Sequence, residues 1–356
     1  MDSKKRVLHL LRSSEYAGAE NVAITIIQAF RNEYDMIYVS SDGSIKKNLE
    51  AAQIRYVLLK NYSRKEILRV IRKFRPDVVH AHDYTASVLA ASLKKDFLLV
   101  SHLHNDPLWV RSWNPRTLLF TFLLGRMDRI IVVSEAAYRN FVFREHCKKK
   151  TQVIHNPLDK AKICRLAGSG RENKKYDLIF CGRMSEQKDP ERFVEIIRSL
   201  VANGLDVRAV MLGRGSLLEA CRKKITAEHL EGNIEILGFV ENPYQYMAQS
   251  KILCMTSRWE GFGLVAAEAS ALGVPVLATR AVGLLTAYKD GVYAYCDSNA
   301  DFCRKIRALL QDEKAYEKFQ ASFLSEAERL PDVALYKQKI RAVYGRKKSD
   351  GSSLCL

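Results

Sequence analysis

Two glutamates, Glu260 and Glu268, stand eight residues apart on either side of a glycine-rich segment. The apolar run 252–255 precedes it and an alanine-rich run follows, which predicts a strand, a turn and a helix that begins near Gly263. The first N–H groups of a helix carry partial positive charge and suit a phosphate. A carboxylate at Glu268, in a helix expected to be buried, needs a partner, and it can accept from both hydroxyls of a ribose.

A second polar turn follows the predicted strand 177–181. Gly182 leads into Arg183 and, five residues later, Lys188, and Pro190 marks the first turn of the next helix. A guanidinium and an ammonium at the carboxyl end of a strand are suited to bind a diphosphate. The residues alone also fit an ordinary exposed loop, because Lys and Arg are common on surfaces.

The length and composition of the chain indicate what kind of protein contains these two turns. A chain of 356 residues, 47% hydrophobic and 27% charged, favours two domains with sizeable cores and excludes a disordered or collagen-like chain. The apolar run 117–124 is far shorter than the ~20 residues of a membrane span. The apolar stretch near the N-terminus is too short for a signal peptide. We therefore expect the protein on the cytoplasmic side of the membrane.

The net charge of +17 is unevenly distributed. Residues 1–165 carry 29 Lys and Arg against 16 Asp and Glu, whereas residues 166–356 carry 28 against 24. An anionic partner is therefore expected to contact the first half. The cysteines are scattered without a C-x-x-C pair, which predicts reduced structural thiols; they are Cys147, Cys164, Cys181, Cys221, Cys254, Cys296, Cys303 and Cys355.

Short β-branched runs alternate with segments of helical periodicity along the whole chain. This alternation predicts two doubly wound α/β (Rossmann-like) domains, whose facing sheet edges would form a cleft. The expected strands are 6–11, 36–40, 55–59, 77–81, 97–102, 129–134 and 151–155, then 177–181, 208–212, 234–237, 252–255, 275–278 and 291–295. The predicted divisions are a first domain 1–166, a linker 167–175, a second domain 176–332, and a helix and tail 333–356.

The two polar turns, in this order, resemble the motifs of family 4 glycosyltransferases, retaining enzymes of the GT-B fold that build bacterial cell-surface and lipid-linked glycans. Glu260 and Glu268 match the glutamate pair of that family, and Gly182, Arg183 and Lys188 match its Gly-Arg-Lys pattern. Further segments are similar to the glycine loop, the histidine-ending strand and the nucleotide-binding loops of the family: 16–20, 100–105, 132–135, 153–157, 212–215 and 237–240.

The resemblance implies transfer of a hexose or N-acetylhexosamine from a nucleotide diphosphate sugar, with UDP-sugar favoured over GDP-mannose, to a lipid-linked or cell-surface glycan. It also implies that 1–166 is the acceptor-binding domain and 176–332 the nucleotide-sugar-binding domain. The implied catalytic residues are Glu260, His104, Arg183 and Lys188, with His102 as the competitor of His104 for the sugar contact. The implied donor-binding residues are Gly18, Arg183, Lys188, Gly213, Phe239, Gly261, Phe262, Gly263, Leu264, Val265 and Glu268.

No cofactor is expected, because the sequence has no D-x-D triplet to hold a metal against the diphosphate and cationic side chains would replace it. Two features depart from the family. The segment 281–286 lacks the carboxylate that the family often has there, and the glycine loop has only Gly18. A nucleotide-sugar 2-epimerase of the same fold and an inactive partner subunit remain alternatives. A nucleic-acid binder is disfavoured, since no zinc-finger or RNP-like motif is present.

Two segments of the first half mix cations with apolar residues. In 64–75 one stripe is apolar and the other carries Lys65, Arg69, Arg72 and Lys73, and in 109–124 aromatics and arginines precede an apolar run. Such elements bind anionic lipid, although an ordinary solvated helix face has the same composition. We expect peripheral attachment to the inner face of the plasma membrane. The final helix, with an apolar stripe predicted at Leu335, Ile340 and Val343, would return to the first domain.

Overall fold

The computed structural model of this chain describes residues 4–94, 96–168, 174–288 and 294–345. Contacts divide the chain into two compact units, residues 1–157 with 331–356, and residues 158–330. The predicted linker 167–175 falls partly outside the described residues, at 169–173. The boundary between the two units lies before this linker, between residues 157 and 158. The sequence assigned the helix Lys160–Ala167 to the first domain, but this helix packs within the second unit. There the Nδ2 of Asn242 donates to the carbonyl of Leu166 at 2.8 Å.

The first unit contains a seven-stranded parallel sheet among its described residues, in the order β3-β2-β1-β4-β5-β6-β7. Each strand predicted in this half overlaps an observed one, with ends that shift by at most two residues. The strands are β1 (Arg6–Leu10), β2 (Asp35–Ser41), β3 (Tyr56–Leu59), β4 (Val78–Ala81), β5 (Leu98–Leu103), β6 (Arg129–Val132) and β7 (Thr151–Val153).

Helices follow most of these strands, and several begin at a side chain that caps them. Asp83 accepts from the backbone N–H of Ala86 at 2.7 Å, and Asn114 accepts from those of Arg116 and Thr117. The helices are α1 (Gly18–Ala29), α2 (Ile45–Ala51), α3 (Arg64–Phe74), α4 (Tyr84–Leu93), α5 (Pro115–Leu123), α6 (Glu135–Asn140) and, from the chain end, α14 (Val333–Gly345).

The second unit contains a five-stranded parallel sheet in the described residues, in the order β10-β9-β8-β11-β12. Its strands are β8 (Tyr176–Cys181), β9 (Ala209–Leu212), β10 (Ile234–Gly238), β11 (Ser250–Met255) and β12 (Val276–Ala278). Its helices are α7 (Lys160–Ala167), α8 (Pro190–Ala202), α9 (Leu218–Ala227), α10 (Pro243–Ala248), α11 (Leu264–Ala271), α12 (Asn299–Gln311) and α13 (Glu313–Glu328). Of the predicted strand 291–295, residues 291–293 lie outside the described residues, and Tyr295 forms an isolated bridge with Ala278.

The two parallel sheets confirm the predicted α/β class. In each sheet the strand order reverses at one place, between β1 and β4 in the first unit and between β8 and β11 in the second. Ligands of open parallel sheets bind beyond the carboxyl ends of the strands at such a reversal, because the flanking connections leave in opposite directions. The turns after β8 and β11 are the two turns that the sequence singled out.

Helix α14 packs on the first unit, and its buried face differs from the predicted one. The backbone carbonyl of Tyr344 accepts from the Nζ of Lys5 at 2.7 Å, and Arg341 pairs with Glu33 at 2.8 Å. Ile340 and Val343 are buried as expected, whereas Leu335 is 45% exposed. The prediction for Leu335 was wrong because the buried stripe runs one position later, through Tyr336 and Tyr344.

The cysteines of the described residues are free, in agreement with the expectation of reduced thiols, and Cys355 lies outside those residues. Burial raises the pKa of several of these thiols, to about 12 for Cys181. No helix within the described ranges has the length and apolar character needed to cross a bilayer.

Candidate active site

The turns after β8 and β11 are bonded to each other. We call residues 182–189 the cationic turn and residues 256–263 the glutamate turn. The hydroxyl of Thr256 donates to the carbonyls of Lys188 and Asp189 at 2.9 and 2.8 Å. The backbone N–H of Arg258 donates to the carbonyl of Gln187 at 2.8 Å. Adjacent strands thus bring two segments that lie about 70 residues apart in sequence into one hydrogen-bonded unit.

Lys188 and Glu260, both predicted to be catalytic, form an ion pair. Their side chains are only 14% and 7% exposed. The hydroxyl of Ser257 also donates to Glu260 at 3.1 Å. The carboxylate of Glu260 is therefore buried and is fixed in position by Lys188 and Ser257. An anion that approaches Lys188 must compete with Glu260 for the ammonium group.

The exposed guanidinium of Arg183 is positioned by a residue that the sequence analysis did not single out. The Nη2 of Arg183 donates to Oε1 of Gln187 at 2.8 Å, and Nε2 of Gln187 donates to the carbonyl of Trp259 at 3.0 Å. Gln187 thereby links the arginine to the glutamate turn. Its position between two charged residues gave no indication of this role.

Glu268 lies on α11 and accepts from the hydroxyl of Tyr244 on α10 at 3.1 Å. Burial raises the pKa of Glu268 to about 7, although this hydrogen bond and the charges of Lys162 and Lys188 act in the opposite direction. The expectation that this carboxylate needs a partner is met by Tyr244. Sequence reasoning missed this tyrosine because it belongs to a different helix.

Gly263 precedes α11 with φ of +90°, a conformation that favours glycine, and a Cβ there would lie 2.7 Å from Cγ1 of Val282. The helix begins at Leu264, one residue after the predicted start. Leu264 and Val265 are partly exposed, and Gly261 is buried. The side chain of Phe262 is 2% exposed, so any contact with a ligand would come from its main chain.

The loop after β9 packs directly on the cationic turn. The N–H of Gly182 donates to the carbonyl of Leu212 at 3.0 Å, and that of Met184 to Arg214 at 2.9 Å. A Cβ on Gly213 would lie 1.8 Å from the carbonyl oxygen of Gly182, and the φ of Gly213 is +141°. Glycine at 213 is thus required for the close approach of the two loops.

After β10, the ring of Phe239 is 54% exposed, and the guanidinium carbon of Arg214 lies 4.8 Å from its centre. A guanidinium over an aromatic face is attracted to it. The resulting platform leaves an aromatic surface available to a flat ring such as a nucleobase.

In the first unit, Gly18 is exposed and opens α1 directly after the β1 loop. His102 and His104 are both buried at the end of β5, with 0% and 8% exposure. Burial lowers the pKa of His104 to about 3, so its ring is neutral near pH 7. It can exchange hydrogen bonds with a ligand but carries no positive charge.

His102 and His104 belong to a larger group, which we call the histidine layer: His9, His80, His82, His102 and His104. His9 was not considered in the sequence analysis. The alternation of 80 with 82 and of 102 with 104 on neighbouring strands could have revealed the layer, since alternate residues of a strand share a face. His9 adds to it because it is in register with His80.

Comparisons with known proteins match the two halves of the chain to glycosyltransferase family models. Residues 16–162 match the family model "Glycosyltransferase Family 4", and residues 166–322 match "Glycosyl transferases group 1". A Campylobacter jejuni N-acetylgalactosaminyltransferase that acts on a diphospho-undecaprenol-linked sugar is 21% identical over 92% of this chain and 96% of its own. An uncharacterised glycosyltransferase of Methanocaldococcus jannaschii is 25% identical over 60% of this chain, which spans 58% of that relative's length.

Solved structures show the same fold. The Anabaena protein HepE, in complex with UDP-glucose, superposes with a TM-score of 0.81 over 96% of this chain and 99% of its own, at 22% identity. The expected GT-B fold is confirmed.

Gly213→Ala is expected to lower the melting temperature by several degrees, because the new methyl group overlaps the Gly182 carbonyl and the backbone must shift. Gly232→Ala is the matched control, since a Cβ at Gly232 has no described atom within 4 Å. Thermal unfolding of both variants checks this. Equal melting temperatures would show that the loops do not depend on the contact.

Proposed function

Because this chain belongs to the family 4 and group 1 glycosyltransferases of the GT-B fold, we propose that it transfers a hexose or N-acetylhexosamine from a UDP-sugar, with retention, to a lipid-linked or cell-surface glycan. The observation that carries the proposal is the hydrogen-bonded pair of turns with Arg183, Lys188 and Glu260 at the strand-order reversal of the second sheet. Two cations and a helix start at one sheet edge suit a diphosphate.

The donor is proposed to bind along these two turns. Arg183, Lys188 and the main chain of 263–265 bind the diphosphate, and Glu268 accepts from the ribose hydroxyls. Phe239 stacks on the base, and Gly213 keeps the neighbouring loop close. In the first unit, Gly18 permits close approach of the main chain to the β-phosphate. UDP is favoured as the nucleotide by the ligand of HepE, a solved structure with the same fold.

Charge on the leaving group is proposed to drive the reaction. As the bond between the sugar and the diphosphate lengthens, negative charge grows on the phosphate oxygens, and positioned cations stabilise it. Lys188 exchanges Glu260 for the diphosphate, which frees the carboxylate to accept from a sugar hydroxyl. His104 contacts the sugar as a neutral ring. The departing phosphate oxygen takes the acceptor proton, so no carboxylate nucleophile is needed.

The acceptor is proposed to be carried on a membrane lipid, as the Campylobacter relative's name describes for that protein. The segment around α5 exposes a group of apolar side chains, which we call the apolar patch: Leu108, Trp113, Leu118, Leu119 and Phe122. Phe122 is 84% exposed and Trp113 is 72% exposed, values that are large for such rings. Arg111, Arg116 and Arg126 flank the patch and are exposed. Exposed apolar side chains and arginines in one segment suit the surface of an anionic bilayer.

UDP is expected to raise the melting temperature by a few degrees at a hundredfold excess over its dissociation constant, and GDP and ADP less, because only a ligand of the native state stabilises it. The shift should grow as the pH rises from 6 to 8, since Glu268 loses its proton near pH 7 and then accepts from the ribose. Glu268→Gln should reduce both the shift and its pH dependence. A protein that responds to no nucleotide would contradict the proposed donor.

Lys188→Met is expected to lower kcat on the order of 10²-fold, because one stabilising charge at the leaving group is lost. The control is Lys223→Met, which removes an exposed cation on α9. Transfer assays in EDTA should give the same rates as assays with Mg²⁺, since side chains take the place of a metal. Activity that disappears in EDTA and returns with Mg²⁺ or Mn²⁺ would refute this.

Vesicles rich in phosphatidylglycerol are expected to sediment the protein at low salt, and phosphatidylcholine vesicles much less. Leu118→Ser combined with Phe122→Ser should reduce binding at least tenfold, because each buried apolar side chain contributes about 1.5–3 kcal/mol. Leu335→Ser, a change at an exposed leucine outside the patch, is the control. Equal binding to both lipids would contradict the membrane proposal.

A further inference from the structure

The histidine layer occupies one face of three adjacent strands in the first unit. Strands β1, β4 and β5 lie side by side, and His9 is in register with His80. Among the five side chains, exposure reaches 8% for His104 and is zero for the others. Five imidazoles are thus enclosed together within the core of this unit.

Hydrogen bonds within the layer account for only part of its polar atoms. The Nδ1 of His9 lies 2.9 Å from Nε2 of His82, whose Nδ1 lies 3.0 Å from Nε2 of His104. In the described structure, His9 Nε2, His102 Nε2 and His104 Nδ1 are buried and have no hydrogen-bond partner. Buried polar atoms in native proteins nearly always have one. Two of these nitrogens, on His102 and His104, lie on neighbouring rings at the end of β5 and indicate a ligand there.

Three of the rings converge closely enough to share an ion. His82, His102 and His104 each offer a ring nitrogen, and these nitrogens lie within 4.8 Å of one another. Around a tetrahedral zinc ion, nitrogens at ~2.0–2.1 Å from the metal lie about 3.4 Å apart, so the three rings must draw closer together. His82 must also exchange one of its two hydrogen bonds, to His9 or to His104, for the ion. Burial lowers the pKa of all three histidines, which keeps their rings neutral and their lone pairs available.

The surroundings of these rings also suit a metal. The Nδ1 of His102 lies 3.1 Å from Nε2 of His80, whose Nδ1 lies 2.7 Å from the hydroxyl of Tyr344. Hydrogen bonds of this kind fix the orientation of a ligating imidazole. His104 is the least buried of the three, with 8% exposure, so an ion from solvent would enter beside its ring.

We propose that His82, His102 and His104 bind a transition-metal ion of the Zn²⁺ class, with water in the fourth position. A set of three imidazoles suits Zn²⁺, Co²⁺, Ni²⁺ or Cu²⁺, whereas Mg²⁺ and Ca²⁺ prefer oxygen ligands. This metal site is separate from the proposed diphosphate site in the second unit. Its effect on transfer rests on the proposed function: because His104 is proposed to contact the sugar, an ion bound to His104 competes with the donor and inhibits transfer.

The test uses the untagged full chain, stripped of metal by a chelator and titrated with Co²⁺. We expect saturable visible absorption of four-coordinate Co²⁺ at one ion per chain, which Zn²⁺ abolishes and Mg²⁺ leaves unchanged. His102→Ala and His104→Ala should each weaken Co²⁺ binding at least tenfold. His146→Ala is the matched control, because it removes an exposed histidine outside the layer.

Circular dichroism establishes that each variant is folded, and His104→Ala tests the proposal if the more buried His102→Ala fails to fold. Absence of saturable Co²⁺ binding, or wild-type affinity in His104→Ala, would overturn the metal site. The absorbance needs neither donor nor acceptor. A chain that binds Co²⁺ but ignores every nucleotide would therefore refute the proposed transfer and leave the metal site standing.

Discussion

The ion pair between Lys188 and Glu260 is the interaction on which the candidate site depends. Both side chains are largely buried at the ends of adjacent strands, where an unpaired charge would be strongly destabilising. Loss of either partner leaves the other uncompensated, so the two turns maintain each other's geometry in the absence of a ligand. In the proposed donor complex, a diphosphate replaces the carboxylate at Lys188 by supplying equivalent negative charge. Selectivity for such a group thus begins in the unliganded protein.

The backbone supports this pair through close contacts rather than through long side chains. Thr256 bonds to the main chain of the cationic turn, and the loop at Gly213 lies against Gly182 without room for a methyl group. Three successive strand ends, those of β9, β8 and β11, are thereby locked together. A rigid frame of this kind positions Arg183 and Lys188 before a ligand arrives, which is what electrostatic catalysis requires.

Much of the fold and the motif residues could be predicted from the sequence, because strand periodicity and fixed spacings are local properties. Glu268 illustrates the limit: its need for a partner was predictable, but Tyr244 comes from another helix and only the packing reveals it. The same holds for Gln187 beside Arg183. On α14, Ile340 and Val343 are buried as predicted, and only Leu335 was wrong, by one position, since Tyr336 faces the core instead. His9 was missed because it comes beside His80 only through the pairing of β1 with β4, and strand pairing cannot be read from the sequence.

Helix α14 has a consequence for how the chain is made. The first unit needs Tyr344, whose hydroxyl bonds to His80 and whose carbonyl bonds to Lys5, yet those partners are synthesised more than 250 residues earlier. The second unit is a single continuous stretch, 158–330, and has all its parts as soon as that stretch leaves the ribosome. Domains usually mature in the order of synthesis. Here the unit whose strands are made first is completed last, so its sheet must wait, partly uncovered, until α14 has been made.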